Sequence, residues 1–158
     1  MRLRANLLPA AGTSGGTLSD RPINILVVDD NPADVNVLRL AFLESNIACQ
    51  LHFFPKGTEA VTFLRENHRI PDLIILDLRL PGENGLEILQ SVRRHSAELE
   101  RVPAVLLSGL VSPENRAAAE ACDALCLEKP FTFEGWMDLA CTLKAFCSKG
   151  SQLSLAAA

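Results

Sequence analysis

At four separated points in this chain of 158 residues an apolar run ends on a side chain able to do chemistry. Val27-Val28 leads into Asp29-Asp30, Leu73-Ile74-Ile75-Leu76 into Asp77, Ala104-Val105-Leu106-Leu107 into Ser108, and Ala124-Leu125-Cys126-Leu127 into Glu128-Lys129. Short unbroken apolar runs fit strands covered on both faces, as in a parallel sheet between layers of helices. In such sheets ligands and chemistry gather at the carboxyl ends of the strands. Taken singly, each group has a plain structural reading. Asp77 can cap a turn, Asp29-Asp30 can cap a helix, Ser108-Gly109 can be a turn and Lys129 a surface lysine. Taken together, three carboxylates, a hydroxyl and an ammonium converge on one edge of the sheet. Carboxylates held that close repel, and they coexist through a hard divalent cation or raised pKa values; Mg²⁺ with several retained waters suits them. Asp77 is then able to attack a phosphoryl group and form an acyl phosphate. Lys129, Ser108 and the backbone N–H groups after Asp77 and Ser108 would stabilise the transferred oxygens.

The elements that must position these groups follow from periodicity. Strands are expected at 23–28, 48–54, 72–76, 103–107 and 124–127, separated by helices at 32–45, 58–67, 84–95, 113–122 and 133–146. Pro32 after Asn31, and Pro113 after Ser112, fit the first turn of a helix. Five strands alternating with five helices imply a doubly wound α/β fold, a three-layer sandwich with right-handed crossovers. Residues 1–20 are rich in Gly, Ser and Thr and are read as a flexible N-terminal tail. The domain takes 21–148, and 149–158 are read as a flexible C-terminal tail.

Composition bounds the remaining choices. The chain is 48% hydrophobic and 22% charged with a net charge of −4, an ordinary globular balance. Positive charge is neither in excess nor clustered, which argues against nucleic acid as a partner. No apolar segment approaches the roughly 20 residues of a membrane span, and the N-terminus is interrupted by Asn6 and Pro9 too early for a secretory signal. Five cysteines with no CxxC read as thiols of a reducing compartment, so a cytoplasmic location is expected.

Four blocks carry a resemblance to the receiver domains of two-component response regulators. They are Val27-Val28-Asp29-Asp30-Asn31-Pro32, Leu76-Asp77-Leu78-Arg79-Leu80-Pro81-Gly82-Glu83-Asn84-Gly85, Leu107-Ser108-Gly109 and Lys129-Pro130-Phe131, spread over about residues 22–147. The resemblance implies a flavodoxin-like sheet of order 2-1-3-4-5 and phosphotransfer from a histidine kinase to Asp77. It implies Mg²⁺ held by Asp30, Asp77 and the main-chain carbonyl of Arg79, with Asp29 acting mainly through a metal-bound water. It further implies that Lys129 pairs with the aspartate and then the phosphoryl group, that Ser108 swings inward as the switching step, and that Lys129–Pro130 is a cis peptide.

Two positions depart from the family pattern. Cys126 stands where Tyr or Phe is usual, which removes an aromatic rotamer switch, and Arg79 stands two residues after the acceptor, where smaller or uncharged groups are common. A guanidinium there is expected to slow loss of the phosphoryl group.

The leading expectation is a stand-alone, non-enzymatic signalling protein. Its partners would be a sensor histidine kinase, phytochrome-type or hybrid, and a downstream protein target. Ala117, Ala118, Ala119 and Ala121 give the fourth helix a smooth surface. If Leu139 and Phe146 are exposed on the last helix, the two helices offer a homodimer or partner-helix interface. The alternative is a phosphorylation-independent interaction or dimerisation module of the same fold. A phosphatase using an aspartyl phosphate would need an acid at position 79, where arginine stands.

Overall fold

The computed structural model describes residues 4–6 and 21–156, with the side chains of 4–6 and 149–156 outside that description. In chain order the strands are β1 (Arg4–Asn6), β2 (Ile23–Val28), β3 (Cys49–Phe54), β4 (Leu73–Asp77), β5 (Arg79–Leu80), β6 (Glu83–Asn84), β7 (Ala104–Ser108) and β8 (Ala124–Glu128). The helices are α1 (Pro32–Glu44), α2 (Gly57–Asn67), α3 (Gly85–Arg93), α4 (Ala97–Glu100), α5 (Pro113–Ala121) and α6 (Phe133–Ala156).

The main sheet runs β1-β3-β2-β4-β7-β8. All its pairings from β3 to β8 are parallel, which gives the expected 2-1-3-4-5 order among the five long strands. Every residue of β4 and β7 is buried, as unbroken apolar runs require at the centre of a two-sided sheet. β3 and β8, nearer the edges, alternate buried with half-buried positions over much of their length. Successive residues serve opposite faces: Leu26, Val28, Ile74 and Leu76 pack beneath α2 to α5. Ile25, Val27, Ile75, Val105 and Leu107 pack beneath α1 and α6.

Four features differ from the expected pattern or decide what it left open. First, residues 4–6 of the expected tail form β1, antiparallel to β3 with Ala5 opposite Leu51. Backbone pairing at a bare sheet edge does not need an apolar pattern. The rest of that expected tail, 1–3 and 7–20, lies outside the described residues, as do 157 and 158. Second, six helices are found among the described residues rather than five. α4 is a single turn capped by Ser96, whose hydroxyl accepts from the N–H of Leu99 at 3.1 Å, and only Leu99 is buried in it. Third, α6 continues through 149–156, beyond the expected end at 146 and into the segment read as a tail. Fourth, Leu139 is buried, and Phe146 is half-buried against the same core. Leu139 falls on the stripe Trp136, Leu139, Ala140, Leu143, Cys147, whose helical spacing turns it to the sheet. The condition set for an interface through these two residues is therefore not met.

Candidate functional site

Register brings the strand ends together. Val28 lies opposite Leu76, Asp77 opposite Leu107, and Ser108 opposite Glu128, so Asp29, Asp77, Ser108 and Lys129 leave neighbouring strands at one edge. Among the described residues Asp29, Asp77 and Ser108 are the buried polar ones. Lys129 reaches over them: its Nζ donates to Asp29 Oδ2 at 3.0 Å and to Asp77 Oδ2 at 2.8 Å. A third bond goes to Asp34 Oδ2 at 2.8 Å, from the first turn of α1. Asp34 was not singled out among the candidate residues of the sequence. An acid just inside a helix start is read as favouring the positive end of the helix dipole. Its spacing of five residues from Asp29, one turn into a helix rising from the strand end, is the signal that could have found it.

The loops hold these groups in place. Asp29 Oδ1 accepts from Asn31 N at 2.9 Å, and Asn31 Oδ1 in turn caps α1 by accepting from Ala33 N at 3.0 Å. Asp77 Oδ1 accepts from Arg79 N at 3.0 Å. The chain then reverses through the β5–β6 hairpin, where Gly82 has φ of +71°. Gly85 follows, and its lack of a side chain is structural: a Cβ there would lie 2.4 Å from the Asp77 carbonyl oxygen. The first residue of α3 thus lies directly against the backbone of Asp77.

Ser108 points elsewhere. Its hydroxyl donates to the Leu110 carbonyl at 2.8 Å and accepts from Leu110 N at 3.3 Å, closing its own loop. Its carbonyl accepts from Lys129 N at 2.8 Å, so the backbone carrying the ammonium is tied to the backbone carrying the hydroxyl. The expected cis bond at Lys129–Pro130 is not found: no cis peptide occurs among the described residues. Trans is the intrinsically favoured X–Pro isomer, by about 0.5–1 kcal/mol. Arg79 is exposed and Cys126 is buried at 2% exposure on the face covered by α2 to α5.

Burial pushes the Asp29 carboxyl up to about 6, against the pull of the Asn31 N–H and of Lys129. Burial alone would lower the Lys129 ammonium, but hydrogen bonds to Asp34, Asp77 and Asp29 more than offset it and leave its pKa raised. One ammonium therefore serves three carboxylates, and Asp30 stands exposed beside them. Asp29, Asp30 and Asp77 each present a carboxylate oxygen within 4.8 Å of the others. A donor set of anionic oxygens with excess negative charge fits a hard divalent cation such as Mg²⁺ or Mn²⁺.

The family model for the response regulator receiver domain matches residues 25–139. This chain belongs to the receiver domain family. Its relatives include the response regulator Rcp1 of Synechocystis, 35% identical over 95 residues that span 57% of this chain and 64% of Rcp1. The response regulator Rre1 of the same organism is 34% identical over 112 residues, 70% of this chain and 46% of Rre1. The chain thus spans less than two thirds of either relative. The solved Mn²⁺-bound form of Rcp1 superposes with a TM-score of 0.68 at 28% identity, covering 79% of this chain and 94% of Rcp1. The phosphorylated cyanobacterial phytochrome response regulator RcpA superposes with a TM-score of 0.70 at 26% identity, covering 80% of this chain and 94% of RcpA. Receiver domains bind Mg²⁺ or Mn²⁺ at an acidic cluster, and this receiver has one. No helix among its described residues is long and apolar enough to cross a membrane.

Proposed function

We propose that this receiver takes a phosphoryl group from the phosphohistidine of a sensor kinase onto Asp77, with Mg²⁺ as the resident cation, in the cytoplasm. The observation that carries the reading is the position of Lys129 Nζ, 2.8 Å from an oxygen of Asp77 inside a cluster of three carboxylate oxygens within 4.8 Å. A carboxylate oxygen of Asp77 attacks phosphorus, the P–N bond to the kinase imidazole breaks, and the leaving ring takes up a proton. Asp29 and Asp30 with Asp77, and the carbonyl of Arg79, would hold the cation. When bound, it neutralises charge on the phosphoryl oxygens. Lys129 supplies a second positive charge to those oxygens. Ser108 is the group that turns inward afterwards, giving up its bonds to Leu110 for a phosphoryl oxygen.

Output is by protein contact. The structure leaves Ala117 and Ala121 exposed on α5, next to β8 and its buried Cys126. With no aromatic at that position, the Ser108 movement travels through the Lys129 N–H bond to the Ser108 carbonyl and so along β8. The similarity to Rcp1 and RcpA favours a phytochrome-type kinase, with hybrid kinases the other source. The alternative, an interaction module indifferent to phosphorylation, gives no role to an intact acidic cluster. Phosphotransfer from candidate histidine kinases in Mg²⁺ tests the proposal: labelling is expected in the wild-type chain and absent in Asp77→Ala. Labelling that survives Asp77→Ala overturns the site.

A further inference from the structure

Lys129 has three N–H donors, and all three are used within 3.0 Å: one on Asp29, one on Asp77 and one on Asp34. These acceptors are not equivalent. Asp29 and Asp77 belong to the group whose oxygens lie within 4.8 Å of one another, and Asp34 does not. Asp29 and Asp77 are fixed a second time by backbone N–H groups of Asn31 and Arg79. Asp34 has no such second tie among the described hydrogen bonds, and its side chain is 26% exposed. It also sits on a different kind of element, the first turn of α1 rather than a strand end. A saturated ammonium must release an acceptor before it can donate to a phosphoryl oxygen. The acceptor that is easiest to release is the one that is solvent-accessible and singly held.

We propose that Asp34 is a positioning residue that competes with the phosphoryl group for Lys129, so that phosphorylation moves the ammonium from the first turn of α1 onto the phosphoryl oxygens. This rests on Asp77 being the acceptor. Before phosphorylation Asp34 holds Lys129 over the pocket and contributes a negative charge that opposes an incoming anion. Afterwards it is released to water, and the start of α1 loses a tie to the loop after β8. Asp34 therefore lowers the affinity of the site for phosphoryl groups and links their arrival to α1.

The test compares wild type, Asp34→Asn, Asp34→Ala and Asp34→Glu for binding of beryllofluoride with Mg²⁺, read by fluorescence of Trp136. That residue is the single tryptophan and lines the same pocket as Asp29, Asp34 and Asp77. Asp34→Asn and Asp34→Ala are expected to bind the mimic about fivefold or more tightly and to lose phosphoryl groups more slowly, as charge-assisted bonds of this kind predict. Asp34→Glu is expected to return toward wild type, and Mg²⁺ affinity measured alone is expected to change less than about threefold, since Asp34 is not among the metal-holding residues. Equal or weaker mimic binding by both neutral variants, with wild type still binding, overturns the role of Asp34 alone. Failure of the wild type to bind the mimic at all overturns the phospho-acceptor reading on which it rests.

Discussion

Charge governs the chemistry at the scale of the residue. Asp29 is 5% exposed and pushed up to about 6 by burial, against the opposing pull of the Asn31 N–H and Lys129, so it is mostly ionised at neutral pH and takes up a proton as pH falls through about 6. A carboxylate that holds a cation, directly or through a metal-bound water, does so in its ionised form. The apparent Mg²⁺ affinity is therefore expected to be flat above about pH 7 and to fall below about pH 6, by up to about tenfold per pH unit for the one proton displaced. Trp136 fluorescence across a pH series measures this, and affinity that stays level down to pH 5 would contradict it. The same raised pKa means the folded state binds this proton more tightly than the unfolded chain does. The contribution of Asp29 to stability is thus full below its ordinary 3.8 and lost as pH rises through about 6. Arg79 is expected to bear on the next step, loss of the phosphoryl group. It is exposed and stands two positions after Asp77 in sequence, and a guanidinium reaching back from there would pair with the phosphoryl group or obstruct an attacking water. Arg79→Ala is expected to shorten the phosphorylated lifetime severalfold in a dephosphorylation time course, and an unchanged lifetime would remove Arg79 from the account.

Among the elements, the site depends on how closely α3 approaches the end of β4. Gly85 permits that approach, because its missing side chain would otherwise meet the Asp77 carbonyl at 2.4 Å. Gly85→Ala is expected to lower stability by about 1–3 kcal/mol, the range for forcing extra atoms into a packed interior. Thermal unfolding measures this, and a variant with wild-type Tm would show that the contact relaxes freely. Much of the element pattern was readable beforehand for a physical reason. The centre of a two-sided sheet tolerates only apolar side chains, so Leu73-Ile74-Ile75-Leu76 and Ala104-Val105-Leu106-Leu107 announced themselves. β1 was not readable, since its three residues pair through backbone, which leaves no mark in side-chain type. The burial of Leu139, left open above, was readable from spacing: it stands three residues after Trp136 and four before Leu143, on the buried face.

Across the whole molecule, five parallel strands turn residues about a hundred positions apart into neighbours, and Asp29 and Lys129 meet at 3.0 Å. That convergence was legible because strand direction in an alternating α/β chain is fixed by the connections. The partition of Lys129 among three acceptors was not legible, since it depends on where the first turn of α1 leans once it packs beside α6. Asp77 as the phospho-acceptor is tested by incubating the protein with a phosphorylated histidine kinase and Mg²⁺ and mapping the modified residue by peptide mass. One phosphoryl group on Asp77, absent when Mg²⁺ is chelated and absent in Asp77→Ala, is the predicted result. A phosphoryl group on any other residue, or one that persists in Asp77→Ala, would show that Asp77 is not the acceptor.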